Sequence, residues 1–104
     1  MPVSFCVLYR FRLQAGLEVA FREGWRRLTE AIRDERGGLG SRLHRGDDGL
    51  WYAYAQWPDR ESWERAQAMG SADAEASRLM ASAIEESLPP IPLEPTDDLF
   101  YRAQ

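Results

Sequence analysis

The spacing of the apolar residues changes near Gly16, and this change constrains the fold more than any other feature of the chain. Residues 3–13 carry an apolar or aromatic side chain at every second position, which is the period of a β-strand with one covered face. Residues 17–35 carry one at every third or fourth position, which is the period of an amphipathic helix. The two series are Val3, Phe5, Val7, Tyr9, Phe11 and Leu13, then Leu17, Phe21, Trp25, Leu28 and Ile32.

A tight hairpin is predicted next, because two strand-like segments, residues 39–45 and 50–57, flank the turn-forming sequence GDDG. Pro58 ends the second of these strands because it has no N–H group to donate to a sheet, and Asp59 then caps a new helix. Gly70 interrupts this helix, and the apolar spacing predicts a further helix over residues 72–88. The proline-rich residues 89–95 predict an extended connection, and residues 99–102 predict a short last strand.

The order of strand, helix, two strands, broken helix and strand predicts an α+β fold of the ferredoxin-like, split β-α-β type. Its four-stranded antiparallel sheet would carry the helices on one face only. With 104 residues, the chain is interpreted as a single domain, residues 1–104. The second face of the sheet, which includes Cys6 and Leu8, would then lie open. A homodimer that buries this face is the simplest way to cover it.

The bulk composition argues against several classes of partner. A net charge of −4 does not fit a nucleic-acid-binding protein, which needs a basic surface. No apolar run approaches the length of a membrane span, and the first residues lack a signal-peptide pattern, so a cytoplasmic location is expected. The single cysteine, Cys6, allows no intrachain disulfide. The chain has no metal-ligand spacing and no phosphate-binding glycine loop, so no metal and no cofactor are predicted.

Six side chains are candidates for a site that binds a flat aromatic molecule. His44 is the only histidine, and with an ordinary pKa of about 6.5 it could take a proton from a phenol at neutral pH. Tyr9 is the second catalytic candidate, as a group that binds or deprotonates the same phenol. The remaining candidates, for substrate binding, are Trp25, Tyr52, Tyr54 and Trp63. The alternative is structural: His44 would be an edge-strand or interface residue, and the aromatic residues would fill the core.

All 13 basic residues are arginines. Arg10 and Arg12 lie on the first predicted strand, and Arg42 and Arg45 lie on the second. These four could bind an anionic substrate or pair across a dimer, because a guanidinium matches a carboxylate with two parallel hydrogen bonds. The alternative is that they are solvated charges at the edge of the sheet.

Four segments together carry a resemblance to a known family. They are RFRLQAG, FREGWRRL, GGLGSRLHR and YAYAQWPDRESWERA, within about residues 3–70. The chain resembles the antibiotic biosynthesis monooxygenase family, whose members adopt the dimeric α+β barrel form of the ferredoxin-like fold. The resemblance implies a homodimer with its sheets packed face to face, and a pocket between the sheet and the helices of each subunit.

The resemblance leaves two activities to compare. Some members oxidise polyaromatic phenols to quinones with molecular oxygen and neither metal nor flavin, whereas others degrade haem. The haem-degrading branch uses Asn, Trp and His, but here Tyr9 occupies the position of the Asn, and Ala66 and Ala76 fall near the other two. No histidine lies between residues 59 and 88, so haem ligation is not expected.

Two functional hypotheses therefore follow from the sequence. In the first, the protein is a cofactor-independent monooxygenase that oxidises a small phenolic or polyketide-like aromatic with O₂. Tyr9 and His44 would act on the phenol, and Trp25 and Trp63 would enclose the ring. In the second, it is a non-catalytic dimer that binds a small hydrophobic molecule or serves as an assembly module. A cavity well below the usual ligand-pocket volume of about 300–1,000 Å³ would favour the second hypothesis.

Overall fold

The computed structural model describes residues 3–100 as one antiparallel sheet with three helices. The elements are β1 (Phe5–Leu13), α1 (Glu18–Glu35), β2 (Gly40–Arg45), β3 (Trp51–Trp57), α2 (Arg60–Ala68), α3 (Ala74–Ala83), β4 (Ile84–Ser87) and β5 (Ile91–Leu93). The strands lie in the order β2-β3-β1-β4. The β5 strand pairs with another part of β1, at Cys6, Val7 and Leu8. The α+β, ferredoxin-like architecture predicted from the sequence is therefore confirmed.

The sheet differs from the prediction at its last strand. Two short strands, β4 and β5, share the free edge of β1, so the described sheet has five strands rather than four. The predicted helix over residues 72–88 ends at Ala83, because the next four residues pair with β1 instead. Pro92 is tolerated in β5 because this is an edge strand. Leu99 and Phe100 are not in a strand, and the rest of the predicted last strand lies outside the described residues.

Two aspartates begin the helices after the hairpin. The Asp59 carboxylate accepts a hydrogen bond from the Ser62 amide at 2.7 Å, which confirms its predicted capping role. Asp73 accepts from the Ala76 amide at 3.0 Å and starts α3 in the same way. These backbone hydrogen bonds lower the pKa of both carboxyl groups. Gly70 lies between the two helices with a φ of +78°, a conformation that favours glycine and separates α2 from α3.

All helical residues of the core pack on one face of the sheet, as predicted. We call it the helix-side face; its central residues are Phe5, Val7, Tyr9 and Phe11 of β1 and Trp51, Ala53, Ala55 and Trp57 of β3. The α1 and α3 helices cross closely at Gly24, where a Cβ atom would lie 2.8 Å from Met80 Cγ. Among the described residues, no helix is long and apolar enough to cross a membrane.

The opposite face carries no helix. We call it the outer face; its central residues are Cys6, Leu8 and Arg10 of β1 and Tyr52, Tyr54 and Gln56 of β3, with His44 of β2 beside Tyr52. Cys6 is only 2% exposed although it lies on this face. Leu8, Tyr52 and Tyr54 are half-buried within the single chain.

Candidate functional site

A cavity of about 300 Å³ lies between the helix-side face of the sheet and α1. Ala53 and Ala55 of β3 contribute its sheet side, and Trp25, Leu28 and Ile32 of α1 contribute its helix side. This volume is at the lower end of the range for small-molecule sites, and it suits a ligand of two or three fused rings. The remaining lining residues are Tyr9, Phe11, Thr29, Gly38, Gly40, Ser41, Gln56, Trp57, Gln67 and Met80.

The cavity arises from the alternation of residue size along β3. On the helix-side face, two buried tryptophans, Trp51 and Trp57, stand at the ends of the strand and two alanines stand between them. The large side chains fill the space between the layers at both ends, whereas the alanine methyl groups leave it open in the middle. Because core packing normally leaves few gaps larger than a water molecule, a void of this size in a well-formed core indicates a binding site.

Two buried polar atoms belong to residues that line the cavity and lack a partner. Neither the Ser41 hydroxyl oxygen nor the Trp57 indole nitrogen makes a hydrogen bond within residues 3–100. A buried polar group without a partner costs about 1–3 kcal/mol, so such groups are rare in folded proteins. Both groups can donate a hydrogen bond, and both belong to residues of the cavity wall.

Tyr9 brings a further hydroxyl group to the cavity wall. Its oxygen accepts a hydrogen bond from the indole nitrogen of Trp63 on α2 at 2.8 Å. Burial raises the pKa of Tyr9, and the hydrogen bond from Trp63 offsets only part of this effect. The phenol therefore stays protonated at neutral pH, so it can donate a hydrogen bond to a ligand but cannot serve as a base.

A side lobe of about 230 Å³ adjoins the cavity towards the loop between α2 and α3. It adds Arg36, whose buried Nε atom has no partner among the described residues. It shares five lining residues with the cavity: Tyr9, Leu28, Ile32, Trp57 and Gln67. Of the residues from 3 to 100, none that lines either space carries a carboxylate or an imidazole. The combined site is thus apolar, with hydrogen-bond donors but without a side chain that accepts protons at neutral pH.

Three of the predicted site residues lie on the outer face, away from the cavity. The Tyr52 hydroxyl donates to Asp48 of the hairpin, and the Tyr54 hydroxyl lies 3.0 Å from the Cys6 sulfur. These contacts raise the pKa of both tyrosines. The His44 ring nitrogen Nδ1 lies 3.4 Å from the Tyr52 carbonyl oxygen, on an exposed side chain. In one protomer, therefore, His44 and Tyr9 cannot contact the same ligand, because the sheet separates them.

The other predicted residues divide between the cavity wall and its support. Trp25 and Tyr9 line the cavity. Trp63 does not line it; it packs on Phe5 at 5.6 Å between ring centroids and positions the Tyr9 hydroxyl. Because only Trp25 lines the cavity, the two tryptophans do not enclose it from both sides as predicted.

The sequence interpretation missed Ser41 and Trp57. Ser41 is opposite Ala55, at an inward position of β2, where a polar residue is unusual. The regular series of Trp51, Ala53, Ala55 and Trp57 was a second available signal, because small residues between large ones indicate a gap. Within residues 3–100, no group of three or more His, Cys, Asp or Glu side chains could hold a metal ion.

Comparison with known proteins shows the family of the chain. A family model described as antibiotic biosynthesis monooxygenase matches residues 4–74, which contain β1, α1, the hairpin and α2. The chain belongs to the antibiotic biosynthesis monooxygenase family. The match includes the cavity residues of β1, α1, β2 and β3. No curated protein matches the chain.

Solved structures of the same fold cover nearly the whole chain. SnoaB of Streptomyces nogalater, a cofactor-independent oxygenase, has a TM-score of 0.75 and 16% identity over 94% of this chain and 98% of its own. PA3566 of Pseudomonas aeruginosa has a TM-score of 0.69 and 23% identity over 93% of this chain and 98% of its own. Rv0793 of Mycobacterium tuberculosis has a TM-score of 0.71 and 15% identity over 92% and 98%. At these identities the likeness is one of fold.

Proposed function

We propose that this protein is a cofactor-independent monooxygenase that oxidises a small phenolic aromatic with O₂ in the cavity beneath α1. The observation that carries the proposal is the apolar cavity of about 300 Å³ with the unpartnered Ser41 and Trp57 donors in its wall. Membership of the monooxygenase family and the fold of SnoaB, a cofactor-independent oxygenase, support it.

The proposed reaction converts a ring CH₂ group, or the CH of its phenol tautomer, to a carbonyl group. One atom of O₂ becomes the carbonyl oxygen, and the other leaves as water with the two hydrogens of the substrate carbon. The substrate supplies all four electrons. Its oxidation begins from an oxygen anion, and donors aimed at that anion stabilise it in an apolar site more than in water. The lining residues that carry such donors include Tyr9 and Ser41, each with an O–H group, and Trp57 with its indole N–H.

The absence of a base from the described cavity lining limits the range of substrates. Tyr9 holds its proton, and His44 lies on the other face of the sheet. Substrate deprotonation must therefore go to water, which favours phenols and anthrones whose own pKa is lowered by conjugation. The apolar side chains of Trp25, Leu28 and Ile32 would shield the anion from water after it binds.

Oxygen uptake with a panel of hydroxylated naphthalenes, anthracenes and anthrones tests the proposal. The wild type is expected to consume O₂ above the buffer rate with at least one compound. Ala53→Leu fills the cavity and is expected to abolish the uptake. Tyr54→Leu places the same side chain one position further along β3 on the outer face and is the matched control. No uptake by the wild type, or equal loss in both variants, contradicts the proposal.

One observation favours a second function: none of the described lining residues has a side chain that accepts protons at neutral pH. The protein would then bind a small aromatic molecule without turnover, as a non-catalytic module. Calorimetric titration separates the two functions. Binding of a panel compound that Ala53→Leu abolishes, together with no O₂ consumption, supports the second function and excludes the first.

We also propose that two copies associate through the outer face. Leu8 and Tyr54 are half-buried there, and the side chains of Leu99 and Phe100 are 96% and 69% exposed. A groove lined by Cys6, Tyr54, Leu93, Leu99 and Phe100, among others, runs along this side. Apolar groups concentrated in one patch indicate an interaction surface.

Sedimentation should give a dimer at micromolar concentration and a monomer for Leu8→Glu. A stable, well-folded wild-type monomer at that concentration contradicts the proposal.

A further inference from the structure

A groove beside the cavity carries a concentration of positive charge. It runs between α1 and the free edge of β2, with a volume of about 790 Å³. Four arginines and one glutamate line it, although the chain as a whole is acidic, with 17 acidic and 13 basic residues. We call it the arginine groove; its lining residues are Val19, Arg22, Glu23, Trp25, Arg26, Ser41, Arg42, Leu43, Arg45 and Trp51.

Three of the four arginines are without an ion-pair partner in the described part of the chain. The only carboxylate of the groove, Glu23, already pairs with Arg26 at 2.6 Å, and Arg26 also contacts Glu30 at 3.1 Å. No carboxylate lies within 4.0 Å of the guanidinium groups of Arg22, Arg42 and Arg45 in residues 3–100. Three uncompensated cations on one surface repel one another, and an anion bound between them would remove that repulsion.

One of these cations is held in place by the core. The Arg45 guanidinium carbon lies 4.9 Å from the centre of the Trp51 ring, a cation–π contact, and Trp51 is buried against Phe21. The contact orders the side chain before any ligand binds, which lowers the entropic cost of binding. Arg42 and Arg45 also lie two strands away from Arg10 and Arg12, so the predicted cluster of four arginines does not form.

The arginine groove adjoins the cavity. Trp25 and Ser41 line both spaces, one from α1 and the other from β2. A molecule that crosses this boundary would place an apolar ring among the cavity residues and a charged substituent among the arginines. Where the cavity meets the groove, the cavity lining has only neutral hydrogen-bond donors. A full negative charge would therefore be bound in the groove rather than in the cavity.

We propose that the arginine groove binds the carboxylate of an aromatic acid whose ring occupies the cavity. The inference rests on the proposed function, because it assumes that the cavity binds an aromatic ring, and it adds the substrate class. Arg45 binds the carboxylate by charge-assisted hydrogen bonds from the helix-side face of β2, and Arg22 adds its charge from α1, whereas Arg42 is opposite Tyr54, at an outer-face position of the same strand. The carboxylate takes no part in the oxidation; it selects and orients the substrate.

Three compounds of similar shape test the assignment by calorimetric titration at low ionic strength: 2-naphthol, 6-hydroxy-2-naphthoate and the neutral 6-hydroxy-2-naphthamide. The wild type is expected to bind the acid about tenfold more tightly than the amide, and this preference should fall as salt is added. The double variant Arg22→Gln with Arg45→Gln is expected to bind acid and amide equally while keeping its affinity for 2-naphthol.

A single variant serves as the control for charge. Arg78→Gln removes an exposed arginine of α3 that also lacks an ion-pair partner in the described residues, and it should keep the full preference for the acid. Loss of the preference in this control, or equal binding of acid and amide by the wild type, overturns the assignment to the arginine groove.

The same titrations separate this inference from the proposed function. Binding of 2-naphthol and the amide without a preference for the acid overturns the inference and leaves the cavity intact as an aromatic site. Failure of the wild type to bind any of the three compounds overturns the inference by removing its premise, and it contradicts the aromatic-binding cavity itself.

Discussion

The two faces of β3 carry two aromatic residues each but differ in what they can bind. On the helix-side face, Trp51 and Trp57 flank two alanines, and a cavity lies above the alanines. On the outer face, Tyr52 and Tyr54 already use their hydroxyl groups within the chain, with Asp48 and Cys6. The difference lies in the space between the aromatic residues and in the polar atoms left without partners.

Aromatic content is therefore a poor guide to a binding site in a small sheet protein. The helix-side face leaves two buried donors unpaired, on Ser41 and Trp57, and the outer face pairs its hydroxyl groups locally. A site needs both room and unmet hydrogen bonds, since either one alone is compatible with ordinary packing.

The largest expected difference between the faces is in stability. Phe21 is fully buried on the helix side, whereas Leu8 is half-buried on the outer face. Phe21→Ala should lower the free energy of unfolding by about 4 kcal/mol, because it leaves a hole in the core. Leu8→Ala should cost less than half as much in urea unfolding at low protein concentration.

The concentration dependence sharpens this comparison. If copies associate through the outer face, the cost of Leu8→Ala grows as protein concentration rises, and the cost of Phe21→Ala stays constant. If Leu8→Ala and Phe21→Ala lower the free energy of unfolding equally at every concentration, the two faces are equally buried. That result would contradict the full burial of Phe21 and the partial exposure of Leu8.

The next effect concerns ligand affinity at Tyr9. Tyr9→Phe removes a donor from the cavity wall and should weaken the binding of 2-naphthol about tenfold, as measured by calorimetry. It also leaves the Trp63 indole N–H without its acceptor, which should lower stability by about 1 kcal/mol. Tyr54→Phe makes the same chemical change on the outer face and should leave the affinity unchanged. A similar loss in both variants would contradict the assignment of the ligand to the helix-side face.

Local signals in the sequence predicted much of the fold. The change of period near Gly16 predicted β1 and α1, and GDDG predicted the hairpin between β2 and β3. The Asp59 cap was also correct. Each of these features depends on residues within a few positions of one another, and such signals are strong in a single sequence.

The errors involve contacts between distant parts of the chain. The sequence IEES after Ala83 contains residues that suit a helix, yet the free edge of β1 supplies hydrogen-bond partners from more than 70 positions earlier. Pairing with that edge determines the backbone of β4 and β5, and nothing local predicts it. The resemblance implied a pocket between the sheet and the helices, but its lining residues Ser41 and Trp57 were missed for the same reason, since the cavity is a gap between layers formed by distant residues.

The alkaline stability of the protein should report the burial of Tyr9. Its pKa is raised in the folded state, so above the ordinary tyrosine pKa of about 10 the unfolded chain releases this proton while the folded chain retains it. The stabilisation is complete below that pH and is lost as the pH rises through the folded pKa.

Urea unfolding at pH 8, 10 and 11 measures this effect. Tyr9→Phe should show a smaller decline in stability with rising pH than the wild type. Tyr52 and Tyr54 also have raised pKa values, and they remain in both proteins, so the difference isolates Tyr9. Identical declines would mean that the Tyr9 phenol is not buried in the folded protein.

The smallest expected effect belongs to His44, the residue that the sequence favoured as a base. Its ring is exposed on the outer face, and its nearest polar contact is the Tyr52 carbonyl oxygen. His44→Ala should therefore change the oxygen-uptake rate and the affinity for 2-naphthol by less than about twofold, because surface substitutions away from a site have small effects. A loss of oxygen uptake well beyond twofold in this variant would instead indicate that His44 reaches a substrate. Within one protomer the sheet prevents this, so such a result would require a site built between two copies, with the outer face of one copy closing the site of the other.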